Sequence, residues 1–222
     1  LQERIVFLDG AMGTMIQKHK FEEADFRGEL FKDHHRDLKG NSDVLNLTQP
    51  EAIDHVYRSY LEAGSDIIET NTFNGTKISQ ADYDLQEQTY AMNLAAAQNA
   101  RKVVDQFMQD NPGRECFLAG SMGPTNRTAS LSPKVEDPGY RNVSFDELVE
   151  SYYEQAKALV EGGVDILFPE TVFDTLNVKA ALFGVDRLFE ELDERLPVML
   201  SVTVSDTSGR NLSGQTMEGF WH

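Results

Sequence analysis

Acidic residues at the ends of three apolar runs are the side chains best placed to do chemistry. Asp9 follows the apolar residues 5–8, and Glu69 and Glu170 end two later runs that begin with aspartate. The carboxyl ends of parallel strands are where α/β proteins bind ligands, and carboxylates there suit a cation, either an ammonium group or a metal ion. For each carboxylate alone the alternative is structural: it caps a turn or pairs with a neighbouring Lys, Arg or backbone amide.

The turn after Asp9 strengthens the ligand-binding interpretation. Gly10 and Gly13 lie three residues apart and let a ligand approach the backbone closely. Backbone N–H groups point out of such a turn at the end of a strand. A carboxylate beside them suits the ammonium group of an amino acid.

Polar residues at the same level complete a candidate site. Glu69 lies three residues after the aspartate that leads its strand, and Glu170 lies five after its own. Both offsets are odd, so the two side chains are expected on one face of the sheet. Thr70, Asn71, Thr72, Ser121 and Thr125 add hydroxyl and amide groups there.

Several other kinds of site are excluded by the pattern. The segment 10–13 lacks the third glycine of a dinucleotide-binding motif, and no phosphate-binding Gly-Lys-Ser/Thr loop occurs. Cys116 opens its strand, which predicts a buried, inert thiol far from the strand ends. No Ser-His-Asp set can be assembled, because all five histidines lie outside the strand ends.

Composition limits the partners. Among 222 residues, 40% are hydrophobic and the formal net charge is −17, which argues against nucleic acid or an anionic membrane as a partner. No apolar run reaches the length of a transmembrane helix. The single cysteine fits a reducing, cytoplasmic compartment. The chain begins without methionine, and we expect it to be a piece of a longer protein.

Alternation of strand and helix patterns predicts a parallel α/β fold. The predicted strands are residues 5–8, 66–73, 116–124, 165–171 and 197–204, and the predicted helices are about 50–63, 81–108, 145–161 and 175–194. Residues 62–68 and 161–167 repeat one pattern, a helix end, a glycine and an aspartate-led strand. This repeat favours a (β/α)8 TIM-type barrel, of which the chain carries about the first five βα units, over an open sheet. We expect residues 1–222 to be the incomplete N-terminal part of one barrel domain.

The motifs in combination resemble those of the homocysteine S-methyltransferases. The resemblance rests on residues 8–14, 69–73, 120–124 and 170–171. Residues 38–41, 47–50, 123–126 and 140–142 narrow it to the homocysteine-binding module of cobalamin-dependent methionine synthases. It covers nearly the whole chain, although each motif alone is weak.

The resemblance implies a barrel that holds homocysteine by its amino-acid head while zinc binds its sulfur. Asp9 and Glu170 would then bind the ammonium group. The amides of Gly10 and Ala11, together with Thr70, would bind the carboxylate. Glu69, Asn71, Thr72 and Ser121 would line the site.

The resemblance also implies what this chain lacks. The family binds zinc through three cysteines, one after strand six and a pair after strand eight, so we expect the zinc ligands beyond residue 222. Cys116 matches none of them, and no catalytic residue is assigned here. Methylcobalamin would be the methyl donor, and folate, cobalamin and reactivation modules would belong to the same parent chain. We expect this chain to be inactive alone.

Two other interpretations stay open. One is a stand-alone homocysteine methyltransferase that uses betaine or S-methylmethionine. The other is a non-catalytic, truncated barrel that only binds an amino acid or self-associates through its unpaired fifth strand.

Overall fold

A three-stranded parallel sheet forms the centre of the protein. The computed structural model describes residues 4–205 and 207–222. Strands β1 (Ile67–Glu69), β2 (Phe117–Met122) and β3 (Ile166–Pro169) pair in chain order. The helices are α1 (Met12–Gln17), α2 (Glu23–Arg27), α3 (Leu45–Thr48), α4 (Pro50–Ala63), α5 (Lys77–Gln80), α6 (Thr89–Asp110), α7 (Phe145–Glu161), α8 (Thr175–Leu192) and α9 (Met217–Trp221), with 3-10 turns at Ser42–Val44, Ala81–Tyr83 and Gln86–Gln88.

Two further segments extend the sheet, one along each outer strand. Next to β1, the amide of Asp9 donates to Ile67 O at 3.0 Å. Next to β3, the amides of Met199 and Ser201 donate to Leu167 O at 3.0 Å and to Pro169 O at 3.1 Å. Five parallel segments therefore follow one another in chain order, which confirms the predicted parallel α/β fold. Within the described residues the sheet does not close on itself.

The first segment differs from its prediction as a buried strand. It makes a single bridge, from Leu8 to Ile67, and the side chains of Ile5 and Phe7 are 74% and 60% exposed. Among the described residues this segment has a hydrogen-bonded neighbour on one side only. Its apolar side chains therefore have little to pack against.

Successive side chains of β2 point alternately to the hydrophobic core and to the candidate site. Leu118 and Met122 belong to the hydrophobic core, and a Cβ on Gly120 would lie 3.1 Å from a methyl group of Leu159 on α7. Successive side chains of a strand point to opposite faces. Ser121 is therefore directed away from the helices.

Long helices cover the outer face of the sheet. Helix α6 packs against α4 and α7, and α7 packs against α8. No helix in the described part of the chain is both long and apolar enough to cross a membrane.

One predicted helix start is confirmed and another was misplaced. Helix α4 begins at Pro50 as predicted, with Gln49 as its N-cap, because Thr48 already ends α3 and its hydroxyl donates back to Val44 O. Helix α6 begins at Thr89 and not at residue 81, because Asp84 adopts a left-handed backbone with φ of 52° that interrupts the helix.

The N-terminus of α8 joins the helix layer to the long loop before α7. The Asp174 carboxylate accepts hydrogen bonds from the amides of Leu176 and Asn177 at 2.9 and 3.2 Å. It also accepts from the amide of Ser130 at 3.0 Å and from the Ser130 hydroxyl at 2.6 Å. One buried side chain thus satisfies donors from two elements.

We expect Asp174→Ala to lower the free energy of unfolding by about 2–4 kcal/mol, because both the cap and the acceptor for Ser130 are lost. The control is Ser144→Ala, which removes the exposed N-cap of α7 and should cost about 1 kcal/mol. Urea denaturation measures both. Equal losses would show that the bonds from Ser130 contribute nothing.

Candidate functional site

A cavity of about 430 Å³ lies at the carboxyl ends of the strands. This volume falls within the usual range of small-molecule sites. Its lining includes the predicted site residues Asp9, Gly10, Ala11, Glu69, Thr70, Asn71, Thr72, Ser121 and Glu170. Thr125, which was predicted at the same level, is not part of the lining, and its hydroxyl donates to Arg127 O at 2.6 Å.

Asp9 binds the scaffold through one carboxylate oxygen only. Its Oδ2 accepts a hydrogen bond from the amide of Glu69 at 3.0 Å. Its Oδ1 is buried and has no hydrogen-bond partner in the described structure. Burial raises the pKa of Asp9 to about 7, opposed by the Glu69 amide and supported by repulsion from Glu170. One oxygen of Asp9 therefore has no hydrogen-bond partner within the described residues.

Glu69 and Glu170 lie at the ends of β1 and β3 and line the same cavity. Burial raises the pKa of Glu69 far above its ordinary value, and the nearby carboxylates of Glu170 and Asp9 raise it further. The Ser121 hydroxyl donates to Oε1 of Glu170. The predicted convergence of the three carboxyl groups at one end of the sheet is thus present in the structure.

The residue after Glu170 has an unusual backbone. Thr171 has φ of +55°, which is rare for a β-branched residue and costs about 1–2 kcal/mol. Its hydroxyl lies 3.5 Å from Oε2 of Glu170. The strained residue turns the chain out of β3 beside the cavity.

No basic side chain neutralises these carboxyl groups. In the described residues, Asp9, Glu69 and Glu170 form no salt bridge, and no Lys, Arg or His lines the cavity. A structural role as ion-pair partners therefore finds no support. No three His, Cys, Asp or Glu side chains within 4–205 and 207–222 are arranged to hold a metal ion.

Thr70 and Thr72 join the ends of β1 and β2. The Thr70 hydroxyl lies 2.6 Å from that of Thr72, which donates to Ser121 O at 2.7 Å. The amide of Ser121 donates back to the Thr70 hydroxyl at 3.0 Å. The Thr70 hydroxyl thus donates to the Thr72 hydroxyl. It would have to break this hydrogen bond before it could donate to a ligand carboxylate.

The turn after Asp9 offers two free amides. The N–H groups of Gly10 and Ala11 have no acceptor among the described residues. A Cβ on Gly10 would lie 3.2 Å from the ring of Tyr60, whose hydroxyl donates to Ala11 O at 3.3 Å. Tyr60 thus packs against the turn, and a larger residue at position 10 would require its ring to shift by a few tenths of an ångström.

Sequence reasoning missed a fourth acidic residue, Asp43. It is 1% exposed and accepts a hydrogen bond from the amide of Asn74 at 2.9 Å. Burial raises its pKa to about 7. Asp43 lies in a 3-10 turn and not at a strand end, so the pattern that located the other carboxylates does not reach it. The other lining residues that were missed are Met12, Ser42, Phe73 and Asn74, whereas Gly13, predicted in the ligand-binding turn, does line the cavity.

The remaining candidates for chemistry lie elsewhere. Cys116 is buried at the start of β2, with Sγ 4.0 Å from Ser65 O, and burial raises its pKa. His34 and His35 bind Tyr83 O and the Asp84 carboxylate, each at 2.8 Å.

Together these features define a parallel α/β protein with an acidic cavity at the strand ends. The family model of the homocysteine S-methyltransferases matches residues 6–222. The chain therefore belongs to the homocysteine S-methyltransferase family.

Solved structures with the same fold are those of the homocysteine methyltransferase MmuM from Escherichia coli. The metallated form matches with a TM-score of 0.73 and 24% identity, over 99% of this chain and 70% of that one. The oxidized form gives 0.71 and 23%, over 96% and 66%. The apo form gives 0.65 and 22%, over 96% and 64%. This likeness supports the fold.

Zinc, which the family resemblance implies, finds no ligand set in the part of the chain described here. The only cysteine is buried at the opposite end of β2, and the carboxyl groups of the cavity are not arranged for a metal ion.

We expect Thr70→Val to destabilise the protein by about 1–3 kcal/mol, because the isosteric change leaves the Ser121 amide without its acceptor. Thr14→Val, at an exposed position on α1, is the matched control and should change the free energy of unfolding by less than about 0.5 kcal/mol. Chemical denaturation measures both. Equal effects would mean that the hydrogen bonds among Thr70, Thr72 and Ser121 do not stabilise the strand ends.

Proposed function

We propose that this chain binds the amino-acid head of homocysteine in a homocysteine S-methyltransferase. The observation that carries the proposal is the set of unneutralised carboxyl groups beside two free backbone amides. An α-amino acid presents a cation and an anion on one carbon atom. The cavity offers groups of the opposite kind for each.

The ammonium group would be bound by Asp9 and Glu170. Oδ1 of Asp9 is buried and lacks a partner, so an N–H donor would satisfy it. Hydrogen bonds between charged groups in a partly buried site are stronger than those between neutral groups. The acidic cavity favours a ligand that brings positive charge.

The carboxylate would be bound by the amides of Gly10 and Ala11. Free N–H groups in a turn bind anions without a charged side chain. The family resemblance implies that Thr70 also binds the carboxylate, but its hydroxyl would first have to break its hydrogen bond with Thr72. We therefore propose that the amides make the main contribution.

Methyl transfer forms a bond between sulfur and the methyl carbon while the bond from that carbon to its donor breaks. The thiol proton must leave before or during this step, because the thiolate is the nucleophile. The described residues bind and orient the amino-acid head and leave the sulfur to groups outside this cavity. Zinc, when bound in such enzymes, supplies the stabilisation of the thiolate.

We further propose that residues 1–222 form part of a (β/α)8 barrel domain and that methylcobalamin is the methyl donor. Five parallel segments in chain order support the barrel, and the motifs in 123–126 and 140–142 support the donor. A cavity of about 430 Å³ suits an amino acid and not a corrinoid ring. The methyl donor would therefore lie outside this cavity, bound to other modules of the parent chain.

Calorimetric titration with L-homocysteine tests the binding site. We expect Asp9→Asn and Glu170→Gln each to weaken binding about 10- to 100-fold, since each removes a charged hydrogen-bond acceptor. Glu62→Gln, at an exposed position at the end of α4, should leave the affinity unchanged.

Two analogues separate the parts of the ligand. 4-Mercaptobutyrate lacks the amino group, and its weak binding should not respond to Asp9→Asn or Glu170→Gln. 3-Aminopropanethiol lacks the carboxylate and should remain sensitive to both changes. A folded protein that binds homocysteine equally well with and without these carboxylates would refute the site.

We expect the 222-residue chain to form no methionine above background when it is given homocysteine, zinc and methylcobalamin, because its described residues offer no zinc ligand set. Betaine and S-methylmethionine are tested in parallel as donors. Methionine formed with either of these would favour the stand-alone alternative, and turnover with methylcobalamin would show that metal ligands had been missed.

A further inference from the structure

Ser121, near the end of β2, uses all of its polar groups in hydrogen bonds around the cavity. Its amide donates to the Thr70 hydroxyl at 3.0 Å, and its carbonyl oxygen accepts from the Thr72 hydroxyl at 2.7 Å. Its own hydroxyl donates to Oε1 of Glu170. The residue is 1% exposed. Its backbone is therefore fixed to the end of β1, and its side chain presents a fixed donor to Glu170.

The Glu170 carboxyl group has few other restraints. The Glu170 amide donates to Met122 O at 3.1 Å, which fixes the backbone and leaves the side chain free to rotate. No basic side chain lies in the described cavity lining to pair with it. The Thr171 hydroxyl lies 3.5 Å from Oε2, beyond the range of about 2.5–3.0 Å that is usual between two oxygens. Ser121 is therefore the principal donor to Glu170 within the described residues.

The two oxygens of Glu170 consequently differ. Oε1 accepts from the Ser121 hydroxyl, whereas Oε2 has only the long contact from Thr171. Oδ1 of Asp9, in the same cavity, has no partner in the described structure. Each of the two residues assigned to the ammonium group thus has one oxygen bound by the protein and one with spare capacity as an acceptor.

We propose that Ser121 is a positioning residue, whose hydroxyl holds Oε1 of Glu170 and thereby presents Oε2 to the substrate ammonium group. Ser121 itself makes no contact with the ammonium group. This inference rests on the proposed function for the identity of the ligand. The hydrogen bond from Ser121 to Glu170 can be measured without any ligand.

A positioned carboxylate binds better because less freedom is lost when the ligand arrives. A glutamate side chain has several rotatable bonds, and ordering it costs conformational entropy. The hydrogen bond from Ser121 meets this cost during folding, so that it does not fall on binding. A hydroxyl that donates to a carboxylate forms one of the stronger hydrogen bonds in proteins.

Calorimetric titration of Ser121→Ala tests the positioning role. The substitution keeps the backbone groups that bond to Thr70 and Thr72, so the strand ends should remain paired. We expect L-homocysteine to bind about tenfold more weakly. 4-Mercaptobutyrate lacks the amino group and should bind within about twofold of its affinity for the unmodified protein. Equal losses for the two ligands, or no loss for homocysteine, would overturn the proposal.

Two further variants show whether the effect passes through Glu170. Ser151→Ala is the matched control, because Ser151 is a buried serine of α7 outside the cavity lining whose hydroxyl has no partner in the described structure. It should leave both affinities unchanged. In a Glu170→Ala protein no carboxyl group remains to be positioned, so adding Ser121→Ala should change homocysteine binding by less than about twofold. A further tenfold loss there would show that Ser121 acts independently of Glu170 and would refute the proposal.

Urea denaturation measures the same link without a ligand. We expect the effects of Ser121→Ala and Glu170→Ala on the unfolding equilibrium constant to be non-additive by about three- to tenfold. Ser151→Ala combined with Glu170→Ala should be additive. Additive effects of the first pair would mean that Ser121 does not hold the Glu170 carboxyl group.

These readouts separate the two proposals. If the unmodified protein fails to bind homocysteine, the proposed function fails, whereas the unfolding measurements still decide whether Ser121 holds Glu170. If homocysteine binds and the first pair is additive in unfolding, only the role of Ser121 is wrong.

Discussion

Burial of carboxyl groups without a basic partner is the constraint on which the site depends. Ionised carboxylates lose favourable hydration when they are buried, and their mutual repulsion adds to the cost. The protein reduces this cost locally, through the Glu69 amide at Asp9 and the Ser121 hydroxyl at Glu170. The remaining imbalance of charge would favour a ligand that brings positive charge.

The scaffold holds these carboxyl groups in place through polar contacts that reach the helix layer. Gln155 of α7 donates to Thr72 O at 2.8 Å, and Asn93 of α6 donates to Gly75 O at 2.7 Å. A Cβ on Gly75 would lie 2.3 Å from Oδ1 of Asn93, so only glycine fits there. The loop after β1 is therefore fixed by buried donors on two helices, and the strand ends cannot move apart to relieve the repulsion.

The sequence predicted the parallel sheet and the convergence of the carboxyl groups because both follow from local patterns. Apolar runs end in acidic residues, and parallel strands bring those ends together. Asp43 could not be found in this way, since its burial depends on packing between a 3-10 turn and the loop at Asn74. The role of Thr70 as a link to Ser121 depends likewise on contacts distant in sequence.

The three carboxyl groups at the strand ends show the same difference between a local sequence pattern and the three-dimensional environment. In the sequence Asp9, Glu69 and Glu170 are equivalent acids at strand ends, whereas in the structure each has different partners. Asp9 has one oxygen without a partner, Glu170 accepts from the Ser121 hydroxyl, and Glu69 donates its amide to Asp9. These differences arise from contacts between residues distant in sequence, so the spacing of the acidic residues could not predict them.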